Sequence, residues 1–221
     1  MWVKICGITD VATAAAVIEL APDAIGLNFY AASPRCVSGI EAVRIGRQLP
    51  RGVTRVGVFV NHGVNELEDF VNDCLLDQVQ LHGDESPDQL AVLHRRLPHM
   101  PLIRAWRMAG ESLVDLDEYL TACQALDVSL AACLIDARVP GVYGGSGHKV
   151  AWDALARVYQ RSIWPPLILA GGLTPDNAAD AVRATQPWGI DVASGVESQP
   201  GSKDLQLVKR FITNARSAST I

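Results

Sequence analysis

Val56-Gly57-Val58-Phe59-Val60 is apolar at every position, odd and even alike. A strand with one face in water alternates apolar with polar residues, so a run without alternation reads as a parallel strand covered on both faces. Leu167-Ile168-Leu169-Ala170 repeats the pattern. Strand candidates end near Cys6, Phe29, Val60, His82, Trp106, Asp136, Ala170 and Ala193, and helical patterns begin near Asp10, Gly39, Gly63, Ser86, Ser112, Val150, Thr174 and Lys203. One strand–helix unit thus recurs about every 25 to 30 residues. Eight such units in 221 residues suit a closed, parallel (β/α)8 TIM barrel, because an open sheet would leave two edges to cover. No linker, low-complexity segment or second composition class interrupts the run, so a single barrel domain over residues 1–221 is expected.

Local signals support the helix starts. Thr174-Pro175-Asp176 and Ser86-Pro87-Asp88 each offer a hydroxyl cap, a proline at the first helical position and an acid in the first turn. Two connections after strands are longer than linkage requires: Tyr30–Ser38, which contains Ser33-Pro34-Arg35, and Ala137–Lys149, which contains Gly144-Gly145-Ser146-Gly147. In such a barrel, long loops after strands lie at the catalytic end.

Composition narrows the function classes. The chain is 49% apolar and 19% charged, which describes an ordinary globular protein. A net charge of −5 argues against nucleic acid as a partner, though not against a small anion bound locally by helix N-termini and arginines. No apolar run reaches the roughly 18 residues of a membrane span, and no charged segment followed by an apolar one marks a secretory leader. The five cysteines form no CxxC pair, so neither a disulfide framework nor a zinc site is indicated. A reduced, cytoplasmic chain is the expectation. His62, His94, His99 and His148 share no metal-ligand spacing, so no metal is expected.

The chemistry-bearing residues cluster at strand ends. Gly171-Gly172 follow the seventh strand and Ser194-Gly195 the eighth. Glycines let backbone N–H groups approach an anion closely, and phosphate sites in such barrels are frequently built from these two loops. Tight turns alone would also explain the glycines. Asp136 closes the apolar run Ala131-Ala132-Cys133-Leu134-Ile135. A carboxyl delivered by a buried element can serve as a general acid, or it can cap a helix or join an ion pair. Cys6 stands at the same end of the first strand, as core filling or as a base that needs a local positive field. His82 reads as a polar site residue without a proton-transfer role. Parity puts Lys4 on the face of Cys6, and Asp191 on that of Ala193. Closure makes these strands neighbours, so Lys4 and Asp191 are expected to pair inside the barrel. Arg104 is a candidate for a second inward charge.

Together these residues resemble the phosphoribosylanthranilate isomerase family. The likeness is carried by KICGIT at 4–9, NFYAASPRCVS at 28–38, VGVFVN at 56–61 and VQLHGDE at 79–85. It continues through LIDARVPGVYGGSG at 134–147, LAGGLTPDN at 169–177 and IDVASGVESQPGSKD at 190–204. The resemblance implies a (β/α)8 barrel and an Amadori rearrangement of a phosphorylated sugar–anthranilate, with no cofactor. It implies Cys6 as base, Asp136 as acid, and Arg35 as the contact to the anthranilate carboxylate, for which a guanidinium fork is well shaped. Gly171, Gly172, Ser194 and Gly195 would hold phosphate, while Asp191 and His82 would be supporting polar residues. Nucleic acid and membrane are not expected partners, and the resemblance leaves monomer or homodimer open.

The chain departs from the family at Ala193, where a second serine is common. It departs again at Val150-Ala151-Trp152 after His148-Lys149, where an aromatic–acid–tryptophan run is usual. Two other readings compete. A histidine-pathway-like isomerase would show a half-barrel repeat and a carboxylate on the first strand. A non-catalytic phosphate-binding barrel would have no reason to keep both Cys6 and Asp136.

Overall fold

In the computed structural model, which describes residues 1–48, 52–137 and 151–219, eight parallel strands close on themselves in sequential order. They are β1 (Trp2–Cys6), β2 (Ala24–Asn28), β3 (Thr54–Phe59), β4 (Gln78–Leu81), β5 (Leu102–Met108), β6 (Ala132–Ala137), β7 (Leu167–Leu169) and β8 (Gly189–Val192). Helices α1 (Val11–Ile18), α2 (Gly39–Gln48), α3 (Val64–Asp73), α4 (Pro87–Arg96), α5 (Val114–Ala125), α6 (Trp152–Val158), α7 (Ala178–Thr185) and α8 (Leu205–Ala218) follow them one for one. A hairpin of β9 (Glu197–Gln199) and β10 (Ser202–Lys203) intervenes before α8. Every expected strand end falls within two residues of the observed one.

The doubly apolar strands divide their side chains between two cores. Ala24, Val56, Ile103, Ala105, Ala132, Leu134 and Ile168 fill the barrel interior. The other parity, including Ile5, Ile25, Phe59, Leu81, Ile135 and Ile190, packs under the helices. Gly57 lies on that outer face: a Cβ there would stand 2.5 Å from Leu76 Cδ1 and 2.6 Å from the Phe59 ring. The missing side chain admits Phe59, which stacks on Phe29 at 4.9 Å. Burial of an aromatic of this size contributes about 1.5–3 kcal/mol.

Ser86 caps α4 as its sequence suggests, in a reciprocal capping box with Gln89 and with Pro87 in the first turn. Thr174-Pro175-Asp176 does not cap α7. These residues form a separate turn, and α7 begins at Ala178 behind Asn177. The Asn177 side chain accepts from Thr174 N at 2.8 Å and donates to Gly172 O at 2.9 Å. The first turn is therefore used to hold the loop after β7. The connection expected over 137–149 is also revised at its start, since Ala137 still belongs to β6. Its glycine-rich part, with His148 and Val150, lies outside the described residues.

Lys4 and Asp191 are opposed across the β1–β8 pairing and meet at 2.8 Å inside the barrel. Burial opposes the Lys4 charge, but the Asp191 carboxylate and Cys6 outweigh it, so the ammonium is held above its ordinary range. A raised lysine supports folding at all pH below its unfolded value, and this support is lost only as pH climbs through the folded one. Lys4→Met leaves a buried carboxylate unpaired, and is expected to cost about 3 kcal/mol at pH 7. Urea unfolding of the variant measures this; a midpoint matching the wild type would refute it.

Arg104 does not point inward. Its neighbours Ile103 and Ala105 take the interior positions, so strand parity turns Arg104 toward the helices. There it pairs with Glu85 at 2.9 Å, donates to Leu81 O and Gly83 O, and lies against Trp106 and Tyr119. The guanidinium fastens the β4 loop to β5 from outside the barrel.

Candidate active site

The C-terminal ends of the strands converge on one cavity lined by Cys6, Asn28, Ser33, Arg35, Gln80, His82, Asp136, Gly171, Gly172, Asp191 and Ser194, among others. Eight of the nine candidate residues reach it. The ninth, Gly195, acts at its wall.

Cys6 enters from β1, where Gly7 and Ile8 both donate to Gly26 O. A Cβ at Gly26 would lie 2.6 Å from Cys6 Sγ, so the glycine of β2 makes the room that the thiol occupies. Burial pushes the thiol above its ordinary value near 9, with Asp191 adding to the rise. Lys4, within hydrogen-bonding reach, and Lys203 pull the other way. The positive field expected around Cys6 exists, but burial outweighs it in the free protein.

This direction has a measurable consequence. With the thiol raised, the thiolate fraction is small at pH 7 and grows with pH. Iodoacetamide labelling of Cys6 should climb from pH 7 to 9, approaching tenfold per unit. Peptide mapping against Cys6→Ser isolates this thiol from the other four. A labelling rate already flat at pH 7 would contradict the assignment.

Asp136 arrives on β6, three strands from β1 around the closed barrel, so thiol and carboxyl enter the cavity from different sides. Asp136 Oδ2 lies 3.5 Å from His82 Nε2. On the far side of that ring, Gln80 Nε2 is 3.1 Å from Nδ1. The Gln80 amide thus meets one ring nitrogen of His82 and the Asp136 carboxyl faces the other. Gln80, His82 and Asp136 form an ordered row, buried to within a few per cent.

The loops after β7 and β8 are interlocked. Gly171 and Gly172 both take left-handed backbone, φ 82° and 64°, which other residues rarely adopt. A Cβ on Gly195 would fall 1.8 Å from Leu173 O, so only glycine lets the two loops touch. This close approach brings the two loops together where Gly171, Gly172 and Ser194 line the cavity, and backbone N–H groups of such loops suit an anion.

Arg35 is placed by the loop after β2. Asn28 donates to Ser33 Oγ at 3.3 Å, and that oxygen accepts from Arg35 N at 3.1 Å. The guanidinium does not lie free, because Nε and Nη2 each donate to Glu197 at 2.8 Å. Lys203 reaches the same carboxylate at 2.7 Å. Glu197 and Lys203 were not singled out from sequence. The signal available was ESQPGSKD at 197–204, whose Pro-Gly turn brings both charges onto one short hairpin.

Among the described residues, no group of three or more His, Cys, Asp or Glu is arranged to hold a metal ion, and no helix is long and apolar enough to cross a membrane.

A family model described as N-(5'-phosphoribosyl)anthranilate (PRA) isomerase matches residues 3–214. A protein of Trichlorobacter lovleyi named N-(5'-phosphoribosyl)anthranilate isomerase is 41% identical over 216 residues, 98% of each chain. The crystal structure of phosphoribosyl anthranilate isomerase from Thermotoga maritima is similar at TM-score 0.83 and 34% identity, covering 97% of this chain and 98% of that one. A phosphoribosyl anthranilate isomerase in complex with reduced 1-(o-carboxyphenylamino)-1-deoxyribulose 5-phosphate matches at TM-score 0.81 and 33% identity, with coverage of 97% and 98%.

Proposed function

This chain belongs to the N-(5'-phosphoribosyl)anthranilate isomerase family, and we propose that its cavity carries out the rearrangement with Cys6 as base and Asp136 as acid. The protein is an isomerase of tryptophan biosynthesis that converts N-(5'-phosphoribosyl)anthranilate to 1-(2-carboxyphenylamino)-1-deoxyribulose 5-phosphate. The single observation supporting the residue assignment is that a thiol and a carboxyl enter one cavity from separate strands.

Asp136 gives its proton to the furanose ring oxygen, the C1–O bond breaks, and the nitrogen lone pair closes a protonated Schiff base. Cys6, as thiolate, then takes the proton from C2, and the electron pair moves to give an enolamine. Protonation at C1 and loss of the enol hydroxyl proton yield the ketone, so no atom or electron is gained or lost. His82 Nε2 faces the Asp136 carboxylate left after the first step. Gly171, Gly172, Ser194 and Gly195 hold the phosphate, Arg35 meets the anthranilate carboxylate, and Asp191 keeps Lys4 charged beside Cys6.

A turnover assay with freshly generated phosphoribosylanthranilate tests the reading. The purified protein should consume it, and should act far more slowly on the analogous histidine-pathway aminoaldose. Preference for the latter would favour the competing sugar-phosphate isomerase.

A further inference from the structure

A buried charge cluster joins the cavity to the β9–β10 hairpin and itself gives or takes no proton in the steps above, although its Lys203 lies in the field of Cys6. Glu197 accepts the Nε and Nη2 edge of Arg35 through both oxygens. Lys203 binds Glu197 Oε1 at 2.7 Å and Ala193 O at 2.9 Å. The three side chains are only 11%, 4% and 0% exposed. A two-point fork fixes the plane of a guanidinium as well as its position. From below, Gly7 has φ +81°, and a Cβ there would lie 2.7 Å from Arg35 Cδ. The stem thus rests directly on the backbone that follows Cys6. Gly201 does the same for the neighbouring residue, since a Cβ there would stand 3.0 Å from Pro34 O. With stem and one edge clamped, the two N–H groups of Nη1 and the second of Nη2 are what the fork still offers a ligand in the cavity that Arg35 lines.

We propose that Glu197, itself held by Lys203, is a positioning residue that fixes which edge of Arg35 meets the substrate, and so confers selectivity for an aromatic amine bearing a carboxylate. This rests on the reading of Arg35 as the carboxylate contact. Bonds from Arg35 and Lys203 overcome the cost of burying Glu197 and hold its carboxyl below the usual range. The Glu197 carboxylate is therefore charged throughout the neutral range, while burial holds the Lys203 ammonium below its ordinary range. Without the clamp, Arg35 regains rotamer freedom that binding must then remove.

The experiment compares two ligands by calorimetry: the reduced product analogue 1-(o-carboxyphenylamino)-1-deoxyribulose 5-phosphate, and its phenylamino counterpart without the carboxylate. Glu197→Gln should weaken the first by about tenfold and the second less than about twofold. Its KM should rise while kcat stays within about threefold, since the base and acid are untouched. In an Arg35→Ala background the same substitution should add nothing further. Equal weakening of both ligands would show a merely structural role and overturn the proposal, as would unchanged binding by Glu197→Gln while Arg35→Ala alone loses the first ligand. If Arg35→Ala binds both ligands like the wild type, the carboxylate reading of Arg35 falls, and the proposal with it. Should Glu197→Gln fail to fold, Glu197→Asp decides by the same comparison: it keeps the charge but is one methylene too short to span the fork.

Discussion

Cys6→Ser is expected to turn over phosphoribosylanthranilate at least about 10²-fold more slowly than the wild type, the loss usual for removal of a general base. A hydroxyl is nearly the size of a thiol and fits the space left by Gly26, so the fold and the phosphate loops are unaffected. What changes is the acidity of the group. Even with Lys4 and Lys203 on the favourable side, a serine hydroxyl does not ionise near neutral pH and cannot take the proton from C2. The effect falls on kcat, with KM held within a few-fold. A substrate deuterated at C2 provides a second measure, because proton removal then limits the rate and the primary isotope effect grows. Wild-type turnover in this variant would end the assignment of Cys6.

Asp136→Asn should fall by a similar factor of about 10² or more, for a different reason. The amide has the shape of the carboxyl and its oxygen can still face His82 Nε2, so the row from Gln80 through His82 is retained. It has no proton of suitable acidity for the ring oxygen, and ring opening stalls. Because C2 proton removal comes after the stalled step, the C2 isotope effect in this variant should be small. The two variants are thus separable by one labelled substrate. A large effect in Asp136→Asn with none in Cys6→Ser would require the two roles to be exchanged.

Much of the molecule was legible in its residues. Val56–Val60 showed a doubly covered strand because burial on both faces removes alternation, and the outcome was one core inside the barrel and another beneath the helices. The Lys4–Asp191 pair was legible from parity together with closure, since unpaired charges are costly inside a protein. Arg104 misled because strand five carries a charge whose parity could not be indexed until the register with β4 and β6 was known. Thr174-Pro175-Asp176 misled because a start signal states only local preference. The Asn177 bonds to Thr174 and Gly172 delay the helix by a turn.

By itself, the sequence determined the eightfold alternation, the closed barrel, the strand ends bearing Cys6 and Asp136, and the glycines of the last two loops. These follow from short-range periodicity, and from positions fixed by where each strand stops. The tertiary structure alone decided what each group touches. It set Glu197 and Lys203 against Arg35 across more than 160 residues of chain, put Gly26 under the thiol, and fixed the His82 ring through Gln80. It also decided that burial outweighs the two lysines at Cys6. Contacts between residues distant in the chain depend on register and loop path, which local pattern does not encode. The acidity of a buried group depends on everything packed around it.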